Sequence, residues 1–306
     1  MQKIIILGGG DSTEREISLI TSRTIQKALA TRNIAAEIID PAEFSSWLTL
    51  LSSLEKLEPE MIFLGLHGAA GEDGRLQGML ELCNLPFTGS GSRASALAMD
   101  KNAALCLVSN LQIPVAKRLL LHKKDQIEIQ EISNYIGLPL VVKPNSFGSS
   151  VGISIVQESD QLQLALLNAW KYEDWILCEK FIAGRELTVT ILDGRALPVV
   201  EISPRKGWYD YTNKYTHGNT EYLCPAVLTA EETALLQEYA EQIFHRLDCR
   251  VYGRIDFRYD GNKFYFLEVN TLPGMTSLSL TPMAAKTAGL ELPDLLLKII
   301  ELSQNR

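Results

Sequence analysis

The sequence has no pair of cysteines at a CxxC or zinc-site spacing. Its five cysteines, Cys83, Cys106, Cys178, Cys224 and Cys249, are odd in number and widely separated, which reads as reduced, mostly buried thiols. Positive charge is also short: Lys plus Arg is 29 against 37 for Asp plus Glu, a net charge of −8. That balance leaves no electrostatic footprint for nucleic acid or anionic lipid, and no partner of either kind is expected. Long apolar runs are missing as well. Residues 1–7 carry one positive charge before a run far too short for a signal peptide, and no stretch approaches a membrane span. A cytoplasmic location is the expectation. Internal repeats and low-complexity segments are absent too.

What is present is the patterning of an α/β chain. Its 306 residues can hold about two or three domains without staples. Residues 4–7 are fully apolar and enter Gly8-Gly9-Gly10, and a helical pattern runs from 14 to 30. Apolar-strand signals return at 35–39 and 61–66, so the first ninety or so residues read as an α/β unit with a parallel sheet and active loops at its strands' C-terminal ends. Helical stretches follow Gly89-Ser90-Gly91-Ser92 at 93–98 and 102–109, then strand and helix signals alternate to about Phe181. From Arg185 consecutive strands are expected at 186–192 and 196–202. A polar, aromatic loop from 203 to 221 comes next, of the length often found in lids. A helix over 231–247 and a helical tail over 293–303 complete the pattern. The expected divisions are 1–92, 93–182 and 183–306.

Two stretches carry chemistry. Between Gly253 and Met275, polar residues stand at every second position of apolar strands, so Arg254 and Asp256 share one face and Glu268 and Asn270 share one face. Asp260-Gly261-Asn262-Lys263 is hairpin-turn chemistry. A loop over 261–263 would set Asp256 opposite Glu268 and Arg254 opposite Asn270. Such oxygen ligands suit Mg²⁺ or Mn²⁺ held between carboxylates and substrate phosphates. Taken alone, the same pattern also describes an amphipathic hairpin facing water. The second stretch is a strand ending in Lys143, followed by Pro144-Asn145-Ser146-Phe147-Gly148-Ser149-Ser150-Val151-Gly152. It lacks the terminal lysine of a P-loop. Between two strands it reads either as a lid offering N–H groups and hydroxyls to phosphates or as an ordinary hairpin.

With Glu179-Lys180-Phe181-Ile182 and the residues above, the chain resembles the ATP-grasp ligases. His67-Gly68-Ala69-Ala70-Gly71-Glu72-Asp73-Gly74, Thr88-Gly89-Ser90-Gly91, Met99-Asp100-Lys101, Tyr209-Asp210-Tyr211-Thr212-Asn213-Lys214-Tyr215 and Asn270-Thr271-Leu272-Pro273-Gly274-Met275-Thr276 narrow the resemblance to the D-alanine–D-alanine ligase family. These motifs span nearly the whole chain in order. The resemblance implies an ATP-grasp fold, α/β and α+β, with an N-terminal parallel-sheet (pre-ATP-grasp) domain. It implies that ATP, with Mg²⁺ or Mn²⁺, phosphorylates one D-alanine and that the amine of a second attacks the acyl phosphate. The products are D-alanyl-D-alanine for peptidoglycan precursors, ADP and phosphate. A homodimer is also implied.

Roles follow from the same resemblance. Lys101, Lys143 and Lys214 match phosphate-contacting lysines, and Asp256, Glu268 and Asn270 match metal ligands. Glu179, Lys180 and Ile182 match the adenine segment, and Glu186 the ribose contact. Glu14 matches the acceptor of the first D-alanine's ammonium, although the helix macrodipole alone favours acidic residues in a first turn, and Glu16 shares that argument. His67 matches a histidine near the first substrate. Arg254 and the Gly274 N–H match groups that stabilise developing negative charge. Ser279 and Leu280 match the clamp on the second D-alanine's carboxylate. Tyr215 matches a lid tyrosine linked through Ser149 to Glu14, so that closure excludes water. The Lys214-Tyr215 pair favours an amine over D-lactate as nucleophile. Phe147 departs from the polar residue of several relatives, and Phe181 is a milder departure. A ligase for another second substrate and a silent nucleotide sensor are the alternatives, and a sensor would lack a metal ligand, a phosphate lysine or Arg254.

Overall fold

The computed structural model describes residues 3–148, 151–205 and 219–304. Strands β1 (Ile4–Leu7), β2 (Ala36–Ile39) and β3 (Met61–Leu64) pair in parallel in the order β2-β1-β3. β1 and β3 are buried along their whole length, which is why they are continuous apolar runs rather than alternating ones. Gly9 and Gly10 follow β1 with φ of +90° and +79°. A Cβ at Gly9 would strike the Asp40 carboxylate, which instead accepts the Gly10 N–H at 2.9 Å and pairs with Arg15 at 2.6 Å. This turn delivers Glu14 to the N-cap of the helix Arg15–Ala30.

The second sheet contains β4 (Arg118–His122), β5 (Leu140–Pro144), β6 (Ser154–Val156) and β7 (Trp175–Lys180), antiparallel in the order β4-β7-β5-β6. β5 and β6 are the arms of a hairpin whose connection is the glycine-rich stretch, with Leu140 opposite Val156. The third sheet contains β8 (Arg185–Leu192), β9 (Arg195–Ala196), β10 (Val200–Pro204), β11 (Thr220–Leu223), β12 (Tyr252–Tyr259) and β13 (Phe264–Asn270). Its order is β11-β10-β8-β12-β13, with β9 also on β8. The single strand expected over 196–202 is broken. Pro198 has no N–H to give the ladder, so regular pairing resumes only at Val200.

Two pieces of chain leave their sequence neighbours. Helices Ser92–Met99 and Lys101–Ser109 contribute Ala94, Ala98, Leu105 and Val108 to the core of the third sheet, alongside Val189, Ile255 and Phe257. The last helix, Leu292–Gln304, buries Leu295, Leu296, Ile299 and Ile300 in the core of the first sheet with β1 and β3. Leu296 is completely buried there. Leu296→Ala should cost about 2–5 kcal/mol by removing side-chain volume that the packed site cannot fully refill, read as a lowered urea midpoint; an unchanged midpoint would show that the helix adds nothing to the first core.

Candidate active site

β12 lies between β8 and β13, and its register builds one wall of the site. Arg254 faces Asn270 and Asp256 faces Glu268 across the β12–β13 ladder, as the hairpin pattern predicts. The path to that register differs from the expectation. Tyr259 pairs with Phe264, so the connection is residues 260–263, one longer than 261–263. Asp260 Oδ1 holds it by accepting the Asn262 and Lys263 N–H groups at 2.8 and 2.7 Å. The pairing then shifts between Asp256 and Phe257, leaving Leu267 as an extra residue on β13. The longer loop and the bulge cancel.

Asp256 is buried and fully engaged. Its Oδ1 accepts from the Thr188 hydroxyl at 2.5 Å and Arg254 Nε at 2.9 Å; its Oδ2 accepts from Arg254 Nη2 at 2.8 Å and Asn270 Nδ2 at 3.1 Å. Arg254 is therefore a two-pronged partner of this carboxylate. Glu268 lies 3.3 Å from Lys101 Nζ, which also donates to the Phe147 carbonyl at 2.7 Å. Lys101 is itself held by its setting: Asp100 caps the helix Lys101–Ser109 by accepting the Ala103 N–H at 2.9 Å, and Asn145 Nδ2 donates to the same Asp100 oxygen at 2.8 Å. The Phe147 ring lies 6.0 Å from that of Tyr172. Its main chain, rather than its side chain, meets the lysine.

A cavity of about 280 Å³ opens in front of this wall. Arg254, Glu268, Asn270, Gly274, Ser279 and Leu280 line it together with Glu14, His67 and Lys101. Glu14 is buried and Glu16 is exposed, so the two acidic residues of one helix start have opposite surroundings. A Cβ at Gly148 would sit 3.3 Å from Glu14 Oε2, and one at Gly274 would sit 2.8 Å from Ser279 Oγ. Ser279 precedes the helix Leu280–Thr287, whose N-terminal N–H groups favour an anion. The buried His67 ring lies between the Thr21 hydroxyl, 2.9 Å from Nε2, and the Leu272 carbonyl. Burial holds its pKa below the usual imidazole range, Arg254 pushes the same way, and Glu14 and the Leu272 carbonyl oppose them.

The remaining predicted residues form a second group. Lys143 and Glu179, both buried, pair at 2.6 Å between β5 and β7. Lys180 Nζ donates to the Leu138 carbonyl at 2.6 Å. Arg258 donates to the Ile182 carbonyl and pairs with Glu186. Ser149, Lys214 and Tyr215 lie outside the described residues. Among the described residues no group of three or more His, Cys, Asp or Glu could hold a metal; the set on β12 and β13 is two carboxylates and an amide, which suits a hard ion completed by substrate oxygens.

Glu72, within the His67–Gly74 motif but without a role in the sequence reading, lines the same cavity. Its Oε2 accepts the Gly68 N–H at 2.5 Å. Burial, with Glu14 and Glu268 nearby, nevertheless pushes its pKa up to about 8, against the Gly68 bond and the Arg254 charge. Only a carboxyl spaced for that motif was visible in sequence; the crowding of three acids was not.

Comparison with known proteins covers the chain almost end to end. The family description "D-ala D-ala ligase C-terminus" matches residues 107–301, and "D-ala D-ala ligase N-terminus" matches residues 49–90. A D-alanine–D-alanine ligase of Syntrophotalea carbinolica is 42% identical over 299 residues, spanning 98% of this chain and 95% of the relative. The crystal structure of the Bacillus anthracis D-alanine–D-alanine ligase complexed with ATP superposes with a TM-score of 0.85 at 30% identity, over 100% of this chain and 98% of that one. A second structure of that enzyme gives 0.89 at 33% identity, over the same shares.

The Glu72 carboxyl sets a pH dependence of stability. The unfolded chain releases this proton near 4.5, whereas the folded one keeps it to about 8. Between those values the folded state binds more protons, so this group's contribution to stability declines as pH rises. Glu72→Gln cannot ionise and should raise the melting temperature relative to the parent more at pH 8 than at pH 4.5. Parallel pH profiles of the two proteins in thermal denaturation would overturn that account.

Proposed function

The chain belongs to the D-alanine–D-alanine ligase family, and we infer from this premise and the site that it is an ATP-dependent ligase with an ATP-grasp fold. It joins two molecules of D-alanine into D-alanyl-D-alanine for peptidoglycan synthesis, releasing ADP and phosphate. The observation that carries the residue-level reading is the shared face of β12 and β13. Arg254, Asp256, Glu268 and Asn270 meet there in paired register, beside a cavity that also holds Glu14 and Lys101.

In this reading Glu14 receives the ammonium of the first D-alanine, and His67, neutral, packs beside it. Lys101, Lys143 and Lys214 offset the charge of the ATP phosphates, whose repulsion from the substrate carboxylate otherwise opposes their meeting. Glu179, Lys180 and Ile182 take the adenine and Glu186 the ribose. Asp256, Glu268 and Asn270 would hold Mg²⁺ or Mn²⁺, Asp256 giving up part of its hydrogen bonding to Thr188, Arg254 and Asn270, and the ion would neutralise charge on the phosphoryl oxygens. The fit rests on their hard oxygen donors. Arg254 and the Gly274 N–H stabilise negative charge as the D-alanyl phosphate forms and is attacked. Ser279 and the Leu280 N–H clamp the second D-alanine's carboxylate. Glu72, keeping its proton at neutral pH, adds no negative charge beside Glu14. Ser149 and Tyr215 complete a closed site with Glu14, excluding water from the acyl phosphate.

The same reading assigns residues 1–92 to a substrate domain, 93–182 to a central unit with the glycine-rich loop, and 183–306 to a unit with the metal site and lid loop, with the helices of 92–109 exchanged onto the core of the third sheet and the last helix onto that of the first. It makes the protein a cytoplasmic homodimer. Location and dimer both rest on the family resemblance; no helix among the described residues is long and apolar enough to cross a membrane.

Mass spectrometry of the product formed from D-alanine, ATP and Mg²⁺, alone and with competing D-lactate or D-serine, tests the activity: D-alanyl-D-alanine is expected, and its absence from a folded sample sinks the reading. Glu268→Gln should abolish turnover while circular dichroism and melting stay near the parent's; retained turnover would falsify the metal assignment. Arg254→Ala should lower kcat by about 10²–10³-fold, the scale of losing a donor to a developing oxyanion. A kcat within a few-fold of the parent would remove Arg254 from that role.

A further inference from the structure

Arg254, Asp256 and Arg258 occupy alternate positions on β12 and so share one face, yet the reading above gives work only to the first two. Arg258 spends each of its three terminal guanidinium nitrogens on a different acceptor. Nε donates to the Ile182 carbonyl at 3.1 Å, Nη2 to the Gly184 carbonyl at 2.8 Å and Nη1 to Glu186 Oε2 at 3.2 Å. Its Cζ lies 6.0 Å from the centre of the Phe181 ring. Arg258 and Glu186 also stand directly opposite each other in the β8–β12 ladder, and their side chains are only 19% and 17% exposed.

The linker that Arg258 grips joins the second sheet to the third. Gly184 takes φ +120°, and a Cβ there would collide with the Tyr259 carbonyl at the end of β12, so the linker lies directly on this strand. We propose that Arg258 is a positioning residue for the nucleotide: it presets the 182–184 linker and aims the Glu186 carboxylate, so that ribose recognition depends on it. This rests on the reading of Glu186 as the ribose contact. The guanidinium suits the task because its planar fork serves several acceptors in fixed directions, whereas a lysine offers one point charge. One strand then orients the metal-side carboxylate, the oxyanion arginine and the adenosine side of the same substrate.

The test is kcat/KM for ATP, 2′-deoxyATP and 3′-deoxyATP in the parent, Glu186→Gln, Arg258→Ala and Arg258→Lys. The parent should prefer ATP, and Glu186→Gln, which keeps an acceptor but loses the charge, should weaken that preference severalfold. Arg258→Ala should reduce the preference about tenfold, the size of one charge-assisted hydrogen bond, through KM for ATP, with KM for D-alanine little changed. Arg258→Lys should restore only part of it. If Arg258→Ala does not fold, Arg258→Gln reads the same ratio. A preference weakened in Glu186→Gln but intact in Arg258→Ala overturns this inference and leaves the ribose reading standing. A preference intact in Glu186→Gln overturns both. Equal losses with all three nucleotides in Arg258→Ala also overturn it, because a merely structural residue would behave so.

Discussion

The site depends on β12 being held in register from both sides. Against β8, Asp256 stands opposite Thr188 and Arg254 opposite Thr190; against β13 the same two residues face Glu268 and Asn270. A slip of one residue would turn every one of these side chains to the other face of the sheet. The central position makes such a slip costly, since Ile255 and Phe257, which alternate with them, are fully buried in the core with the helices behind the sheet. The hydrophobic face therefore fixes where the charged face points.

That arrangement also explains how so many charges are tolerated together. Asp256 would be expensive to bury unpaired, but donors from Thr188, Arg254 and Asn270 use both of its oxygens. Lys101 reaches Glu268, and Lys143 reaches Glu179. Around the cavity the acids Glu14, Glu72 and Glu268 stand near Arg254, and one of them, Glu72, yields by keeping its proton. His67 shifts in the other direction, burial holding its pKa below the usual imidazole range. Protonation in the site is thus an outcome of packing.

The three sheets are tied to one another by chain that crosses between them. Two helices from between residues 92 and 109 cover the third sheet, and the last helix returns to the first. Lys101 sits at the start of one of these crossing helices and contacts both the tip of the β5–β6 hairpin and Glu268 of β13. Its position is consequently shared between two sheets.

Much of this was legible in the chain. Polar residues at every second position between 253 and 270, with a turn at 260–263, identify the hairpin and the shared face, because strand periodicity and turn chemistry are local. The bulge at Leu267 was not legible: it has no residue signature here, and it is required only because the loop is one residue longer than the simplest pairing. Pro198 breaks the ladder of the strand expected over 196–202 because it has no N–H to donate. Arg258 has the period of any alternating strand charge, and its partners lie on the linker after β7 and on β8, distant along the chain. The sequence by itself determined the order of elements, the faces on which polar side chains lie and the motifs of the family. Only the tertiary structure decided that Arg254 grips Asp256, that Glu72 keeps its proton and that Arg258 grips the linker and Glu186, because periodicity is local while burial and charge separation depend on segments distant along the chain.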